Sequence, residues 1–106
     1  MYKVNDVQER VKGLAEKYNL GGSAEIKYID LTSEVGELGK EILNSSDYGT
    51  KEFAATDNLE SELGDVFFSL IQVANELDIS LDAALERVLA KYEDRFTSSG
   101  NIGSGE

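Results

Sequence analysis

Four acidic residues stand in two pairs with matching spacing. Glu34 and Glu37 form the first pair, E-x-x-E, and Glu62 and Asp65 form the second, E-x-x-D. Residues three positions apart lie on one face of an α-helix, about one turn from each other. Mg²⁺ prefers such carboxylate oxygens and keeps other positions for water and substrate phosphates. Because two acid pairs on adjacent helices would repel each other, the spacing predicts a shared divalent cation.

A solvated acidic helix face is the competing interpretation of each pair taken alone. The chain contains 21 Asp and Glu residues, and the ranges 6–9 and 57–60 also begin and end with acids. The metal hypothesis gains support because both pairs border an apolar stripe of their helices. A carboxylate at such an edge is directed toward the neighbouring helix.

A ladder of basic residues lies near the carboxyl end of the sequence. Arg87, Lys91 and Arg95 follow at steps of four, so they share one flank of a helix. Cations in this position also stabilise the helix dipole and can pair with acids such as Glu86, which is a purely structural explanation. The functional hypothesis is a phosphate-binding cluster that faces the metal ligands.

Composition narrows the class of protein. The chain has 106 residues, no cysteine and no histidine, which predicts one domain without disulfides, thiolate metal sites or histidine catalysis. Its net charge of −11 makes nucleic-acid binding unfavourable. No apolar run is long enough for a membrane span, and the first residues lack the apolar core of a signal peptide. We therefore expect a cytoplasmic protein that binds neither membrane nor nucleic acid.

Apolar residues at helical spacing predict four helices that position these groups. They run from about residue 4 to 18, 25 to 44, 58 to 77 and 81 to 96. Thr56 or Asp57 is expected to cap the third helix and Ser80 the fourth. With no proline and no strand pattern, the fold class is all-α, with a single helical domain over 1–96 and a flexible polar tail over 97–106.

Two further features of these helices concern packing. The apolar arc of the third helix is wider than half a helical wheel, which predicts that it is covered on two sides, partly by another copy of the chain. The glycines near the acids point away from them on the wheel and are interpreted as notches for close helix approach. They are Gly36, Gly39 and Gly64.

The combined pattern resembles the MazG-type, all-α nucleoside triphosphate pyrophosphohydrolases. The segments that carry the resemblance are SEVGELGKEIL (33–43), ESELGDVFFSLIQVA (60–74) and LDISLDAALERVLAKYEDRF (77–96). Together they extend over roughly residues 25–96. The resemblance implies a four-helix MazG-like bundle assembled as a homo-oligomer, either a dimer or a dimer of dimers.

The resemblance also implies a reaction and a set of site residues. The reaction is hydrolysis of a nucleoside triphosphate, NTP or dNTP, to the monophosphate and pyrophosphate, which suits removal of unwanted nucleotides. Mg²⁺, for which Mn²⁺ can substitute, is expected to be held by Glu34, Glu37, Glu62 and Asp65. Glu37 is the candidate for orienting the attacking water. Lys91 and Arg95, the lysine and arginine of the closing helix, are expected to neutralise the phosphates.

Contacts to the nucleoside are less well defined by the sequence. Tyr28, Phe53 and Phe68 are candidates for a slot that holds the base, although packing is the commoner role for such residues. Gln72 takes a place where many family members carry asparagine and can still form hydrogen bonds. Leu89 replaces a second common asparagine. These departures leave the preferred base open and do not affect the proposed metal ligands.

Three other functions compete with this hypothesis. A related all-α phosphoribosyl-ATP or deoxyuridine-nucleotide pyrophosphohydrolase would share the acids and differ in its contacts to base and ribose. A carboxylate-bridged di-iron bundle requires E-x-x-H pairs, which a chain without histidine does not have. The third alternative is a non-catalytic acidic helical interaction module.

Overall fold

The computed structural model describes residues 3–99, which form four helices joined by short links and one longer loop. The helices are α1 (Val4–Lys17), α2 (Ala24–Asn44), α3 (Asn58–Glu76) and α4 (Leu81–Ser99). No strand occurs between residues 3 and 99, so the predicted all-α, four-helix class is confirmed. α4 continues past the predicted end at Phe96 into the polar segment, and the remainder of the predicted tail, 100–106, lies outside the described residues.

Side-chain hydroxyls define the starts of two helices. Ser23 and Ser80 each accept a hydrogen bond from the amide of the third residue after it, at 3.2 Å in both cases, and thereby begin α2 and α4. The predicted cap at Ser80 is confirmed. Asp57 occupies the position before α3, but its side chain forms no capping hydrogen bond. The neighbouring Thr56 hydroxyl donates instead to Glu41 on α2, at 2.5 Å.

A tight reversal joins α3 to α4. Asp78 has a φ of 55°, in the left-handed region that a short polar residue tolerates. The amide of Ile79 donates to the carbonyl of Ala74 at 2.9 Å, which is the six-to-one bond of a Schellman motif. Because this motif ends α3 abruptly, α4 starts within a few residues and leaves in a new direction.

The helices α2 and α3 form the main packed pair and run antiparallel. Thr56, before α3, contacts Glu41 near the end of α2, whereas Ala24 at the start of α2 shares a groove with Leu77 after α3. α1 packs against α3 and α4. α4 has no comparable contact with α2 or α3 within residues 3–99. The antiparallel α2–α3 pair is therefore the platform of the domain, and α4 is held from one side.

Burial in the single chain does not follow the apolar pattern of α3. Among the described residues, Ile71 and Ala74 are the buried hydrophobic side chains, and the polar Ser69 and Gln72 are buried beside them. Phe67, on the wide apolar arc, is 47% exposed. Much of the apolar arc of α3 therefore faces outward in the single chain and is not covered by its other helices. The Cα radius of gyration is 16.9 Å, against about 13 Å for a compact chain of this length.

The expectation that glycines allow close helix approach is wrong for contacts within the chain. A Cβ atom placed on Gly36, Gly39 or Gly64 would meet no atom within 4 Å outside its own helical turn and chain neighbours. These glycines therefore make no close approach inside a single chain, because the faces that carry them are not covered by its other helices.

Membrane insertion finds no support in the helices. None of those in residues 3–99 combines the length and the apolar character that crossing a bilayer requires.

Candidate metal centre

Three carboxylates from the two acid pairs meet at the α2–α3 interface. Glu34 of α2 and Glu62 and Asp65 of α3 each place one oxygen within 4.8 Å of the others. The antiparallel pairing of the two helices brings these positions together, although Glu62 and Asp65 follow Glu34 by 28 and 31 positions in the sequence. Glu34 and Glu62 are half-buried and Asp65 is exposed, so the cluster sits at the rim of the interface and opens to solvent.

Glu37 lies outside this three-oxygen group. Its side chain is exposed, one turn along α2 from Glu34. Its charge nevertheless acts on Glu62. The structure therefore brings three of the four predicted metal ligands together and leaves Glu37 beside them, where it faces solvent.

The electrostatics of the cluster centre on Glu62. Desolvation at the helix interface raises the pKa of Glu62 above its ordinary value of 4.5, and repulsion from neighbouring carboxylates raises this pKa further. In decreasing order, the carboxylates are those of Asp65, Glu37, Glu34 and Glu41. All the charges that shift the Glu62 pKa are negative. The cluster is therefore a concentration of negative charge that a cation would relieve.

The chemistry of the cluster fits a hard divalent cation. All its donors are carboxylate oxygens, which Mg²⁺ and Mn²⁺ accept, and the chain has no histidine or cysteine to favour a softer metal. Drawing oxygens that lie within 4.8 Å onto one ion requires only small side-chain movements. The solvent-facing side leaves room for water and phosphate.

Glu41 and Thr56, which the sequence did not assign to the metal site, are joined to each other next to the cluster. Glu41 extends the acidic row of α2 by one turn, and its carboxylate accepts the Thr56 hydroxyl at 2.5 Å. This bond ties the loop before α3 to α2, on the side of the cluster nearest the end of α2. The position of Glu41 on the same face of α2 as Glu34 and Glu37 follows from its helical spacing. The bond depends on the fold of the loop, which the sequence does not specify.

The predicted phosphate-binding cations lie elsewhere in the chain. The charged groups of Lys91 and Arg95 stand over the ring of Tyr92, at 5.2 and 5.8 Å from its centroid. Lys91 is exposed and Arg95 is half-buried. α4, which carries both, packs against α1 rather than against the α2–α3 pair that holds the acids.

Two of the predicted nucleoside contacts, Gln72 and Phe68, line separate cavities on two sides of α1. Gln72 is buried on α3 and borders a cavity of about 400 Å³ together with Lys12 and Asn75. Phe68 borders a mostly apolar cavity of about 480 Å³ with Val11 of α1. The structure thus places these two predicted substrate contacts in different surroundings. Lys12 is a cation beside Gln72 that the sequence did not single out.

Comparison with known proteins places the chain in a family. The family model of the MazG nucleotide pyrophosphohydrolase domain matches residues 25–98, and the chain belongs to this family. The matched range includes both acid pairs and the cations of α4. The resemblance found in the sequence is confirmed.

Two relatives resemble the chain in sequence. The YpjD protein of Bacillus subtilis is 46% identical over 68 residues, which are 61% of this chain and 60% of YpjD. The Gene 37 protein of Mycobacterium phage L5 is 37% identical over 79 residues, 72% of this chain and 68% of the phage protein. The chain therefore spans less than two thirds of YpjD in this alignment.

Two crystal structures have a similar fold. The structure of YpjD from Bacillus subtilis matches with a TM-score of 0.74 and 36% identity, over 90% of this chain and 97% of that one. The structure of the Bacillus-conserved MazG protein, a nucleotide pyrophosphohydrolase, matches with a TM-score of 0.73 and 31% identity, over 87% and 90%. These matches support the MazG-like arrangement of the four helices.

Proposed function

We propose that the protein hydrolyses nucleoside triphosphates, NTP or dNTP, to the monophosphate and pyrophosphate with Mg²⁺ as cofactor. The observation that carries this proposal is the meeting of Glu34, Glu62 and Asp65 within 4.8 Å at the α2–α3 interface. Membership of a family of nucleotide pyrophosphohydrolases supports a hydrolase that acts on phosphoanhydrides. We extend this to removal of unwanted nucleotides in the cytoplasm.

The four motif acids would hold the metal. Glu34, Glu62 and Asp65 would each contribute a carboxylate, and Glu37 would contribute from its position one turn along α2. When bound, Mg²⁺ would supply Lewis-acid chemistry, which offsets charge on the phosphates and makes a water molecule a better nucleophile. Mn²⁺ fits the same oxygen donors and is expected to substitute for it.

Glu37 is suited to orient the attacking water because it faces solvent beside the cluster. In the reaction, the water oxygen bonds to the α-phosphorus, and the bond from that phosphorus to the α–β bridging oxygen breaks. Pyrophosphate leaves with the bond electrons, and a carboxylate accepts the proton of the water. Lys91 and Arg95 neutralise the charge that develops on the departing pyrophosphate.

Gln72 and Phe68 are the proposed contacts to the nucleoside. The Gln72 amide borders the cavity on α3 and offers both donors and acceptors to a base or sugar. Phe68 offers an aromatic surface in the apolar cavity on the other side of α1. Because these surroundings differ, we expect Gln72 to govern the choice of nucleotide and Phe68 to act mainly through packing.

A second copy of the chain completes the site in this proposal. Within one chain α4 contacts α1 and does not pack on the acid-bearing helices. Its cations would therefore meet a substrate held by the acids only if α4 packs near the acids of another copy. α4 also exposes apolar side chains that a partner would cover: Leu85, Val88, Leu89 and Phe96. Exposed apolar residues of α3 and the large radius of gyration agree with this. We propose a homo-oligomer, a dimer or dimer of dimers, in which α4 reaches the acids of a neighbouring copy.

The test is a product analysis with a panel of triphosphates. The protein is incubated with each canonical and modified NTP and dNTP in Mg²⁺, and pyrophosphate and orthophosphate are measured separately. Pyrophosphate and monophosphate in equal amounts are expected, with no reaction in EDTA. Orthophosphate as the sole inorganic product would contradict the cleavage position. Preference for phosphoribosyl-ATP or deoxyuridine nucleotides would assign one of the related activities, and no reaction with any substrate would favour the interaction module.

A further inference from the structure

Gln8 is a buried polar side chain at the junction of three helices. It lies on α1 with 6% of its surface exposed, facing the end of α3 and the start of α4. It belongs to neither acid pair and to no segment of the family match. A buried amide on an otherwise exposed amphipathic helix requires an explanation, because desolvating it is costly unless every donor and acceptor is satisfied.

The Gln8 side chain satisfies all its hydrogen-bonding groups by linking these elements. Its Nε2 donates to Asn75 Oδ1 of α3 at 3.1 Å and to the carbonyl of Ile79 in the link at 2.9 Å. Its Oε1 accepts the amide of Leu81, the first residue of α4, at 2.7 Å. This amide is one of the donors that a helix start leaves without an intrahelical partner.

A second set of hydrogen bonds closes the same junction. The amide of Asn5 in α1 donates to Asp82 Oδ2 of α4 at 2.9 Å. The Ser80 hydroxyl donates to Asn5 Oδ1 at 2.8 Å. Polar groups at the starts of α1 and α4 thus form hydrogen bonds with each other, and Gln8 is the buried residue of this junction.

We propose that Gln8 is a positioning residue, which sets the angle of α4 and thereby the place where Lys91 and Arg95 meet the triphosphate. This inference rests on the proposed function of the two cations. Gln8 touches neither substrate nor metal. It acts through the direction of α4.

Because α4 is long, a small change in its angle at the junction moves Lys91 and Arg95 by a large distance. At 1.5 Å per residue, Lys91 lies about 15 Å and Arg95 about 21 Å from Leu81 along the helix. A tilt of about 10° at the junction would move Lys91 by about 3 Å, the length of a whole hydrogen bond. Since α4 packs mainly against α1, the junction near Gln8 is the part of the chain that can fix its direction.

The experiment uses three variants of the full chain, each in the wild-type and in the Lys91→Met background. Gln8→Met keeps the length of the side chain and removes its hydrogen bonds. Ser80→Ala removes hydrogen bonds of the same junction at an exposed position, and it replaces Gln8→Met in the experiment if that variant does not fold. Glu9→Gln alters the exposed neighbour of Gln8 and is the matched control. The values of kcat and KM are measured with Mg²⁺ and the canonical triphosphate that the wild type hydrolyses fastest.

A second measurement reports the direction of α4 without depending on activity. The chain has no cysteine, so spin labels at Gly13→Cys on α1 and Glu93→Cys on α4 would be the only ones. Dilution with unlabelled protein restricts the measured distances to one chain. Pulsed electron spin resonance then gives the distance distribution for each variant.

The proposal predicts coupling between Gln8 and Lys91. Gln8→Met should lower kcat/KM about tenfold in the wild-type background and by a clearly smaller factor in the Lys91→Met background, because one of the two misplaced cations is already absent. The distance distribution should shift or broaden, and Glu9→Gln should change neither quantity. Equal losses in both backgrounds, or an unchanged distribution, would overturn the positioning role. If the wild type releases no pyrophosphate, the proposed function itself fails, a result distinct from missing coupling in an active enzyme.

Discussion

The α2–α3 pair and α4 carry the two halves of the proposed chemistry in different structural settings. The acids stand on two helices that pack along each other, and three of them already meet within one chain. The cations stand on a helix that is joined to the rest of the chain through α1 and the junction at its start. In our proposal, the metal half of the site therefore depends on the packing of α2 on α3, whereas the phosphate half depends on the direction of α4 and on assembly.

The two regions also differ in what covers them. The α2–α3 interface partly covers Glu34 and Glu62 at its rim, and desolvation followed by repulsion from neighbouring carboxylates raises the pKa of Glu62. α4 instead exposes apolar residues such as Leu89 and Phe96 to solvent. A bound cation would reduce the repulsion among the acids, and a protein surface would cover the apolar residues of α4. Substitutions in the two regions should therefore fail in different ways.

The largest effect is expected from removing a metal ligand. Asp65→Asn removes a negative charge from the acid cluster and should lower kcat/KM roughly a thousandfold, because metal stabilisation of the transition state supplies several kcal/mol. Pyrophosphate release in saturating Mg²⁺ measures this effect. Glu60→Gln is the matched control, since this acid lies on the same helix, is exposed and stands outside the cluster. A similar loss in both variants would show that activity depends on the overall negative charge of the protein and not on the acid cluster.

A smaller effect is expected from removing a cation of α4. Lys91→Met should lower kcat/KM roughly a hundredfold and leave Mg²⁺ binding to the free protein unchanged, because this lysine acts on the phosphates. Lys17→Met is the control: Lys17 also stands over the ring of the next tyrosine, at 5.3 Å, but on α1. Steady-state kinetics and calorimetric Mg²⁺ titration separate the two effects. Loss of metal binding in Lys91→Met would show that α4 also supports the metal site, and would refute the division of roles between α4 and the α2–α3 pair.

The smallest effect concerns pH. Protons compete with the metal for Glu62, so Mg²⁺ affinity should begin to fall on acidification at a higher pH than a carboxyl group with a pKa of 4.5 would give. In the metal-free protein, the raised pKa means that the folded state binds this proton more tightly than the unfolded state. This contribution to the free energy of unfolding is fully present below pH 4.5 and is lost as pH rises through the folded-state pKa.

Glu62→Gln tests the pH prediction, because glutamine does not titrate. Denaturant unfolding in EDTA across a pH series should show a flatter profile for this variant than for the wild type, and higher relative stability at neutral pH. Identical profiles would mean that repulsion within the cluster does not act on folding.

The sequence predicted the helices well, and also the proximity of three motif acids, because both depend on regular spacing within helices. The ends of α1, α2 and α3 follow from apolar periodicity and from caps such as Ser23. The meeting of Glu34 with Glu62 and Asp65 follows from two equal spacings on neighbouring helices. These features require only that each helix form and that the two pack antiparallel.

Features that depend on long-range contacts were not predictable in this way. The apolar arc of α3 marks surfaces to be covered, but periodicity does not tell whether the same chain covers them, and Phe67 remains exposed. The glycines failed as notches for the same reason. Gln8 gives no local signal at all, since its partners Asn75, Ile79 and Leu81 are far away in sequence.

The most direct test of the division between the two regions is a mixing experiment. Asp65→Asn and Lys91→Met are each purified, mixed in equal amounts, and allowed to exchange subunits before pyrophosphate release is measured. If α4 of one copy serves the acids of another, half of the dimers are mixed and each holds one intact site, so about a quarter of wild-type activity returns. If each chain uses its own α4, the mixture stays as inactive as its components, and the account of a site shared between copies is contradicted.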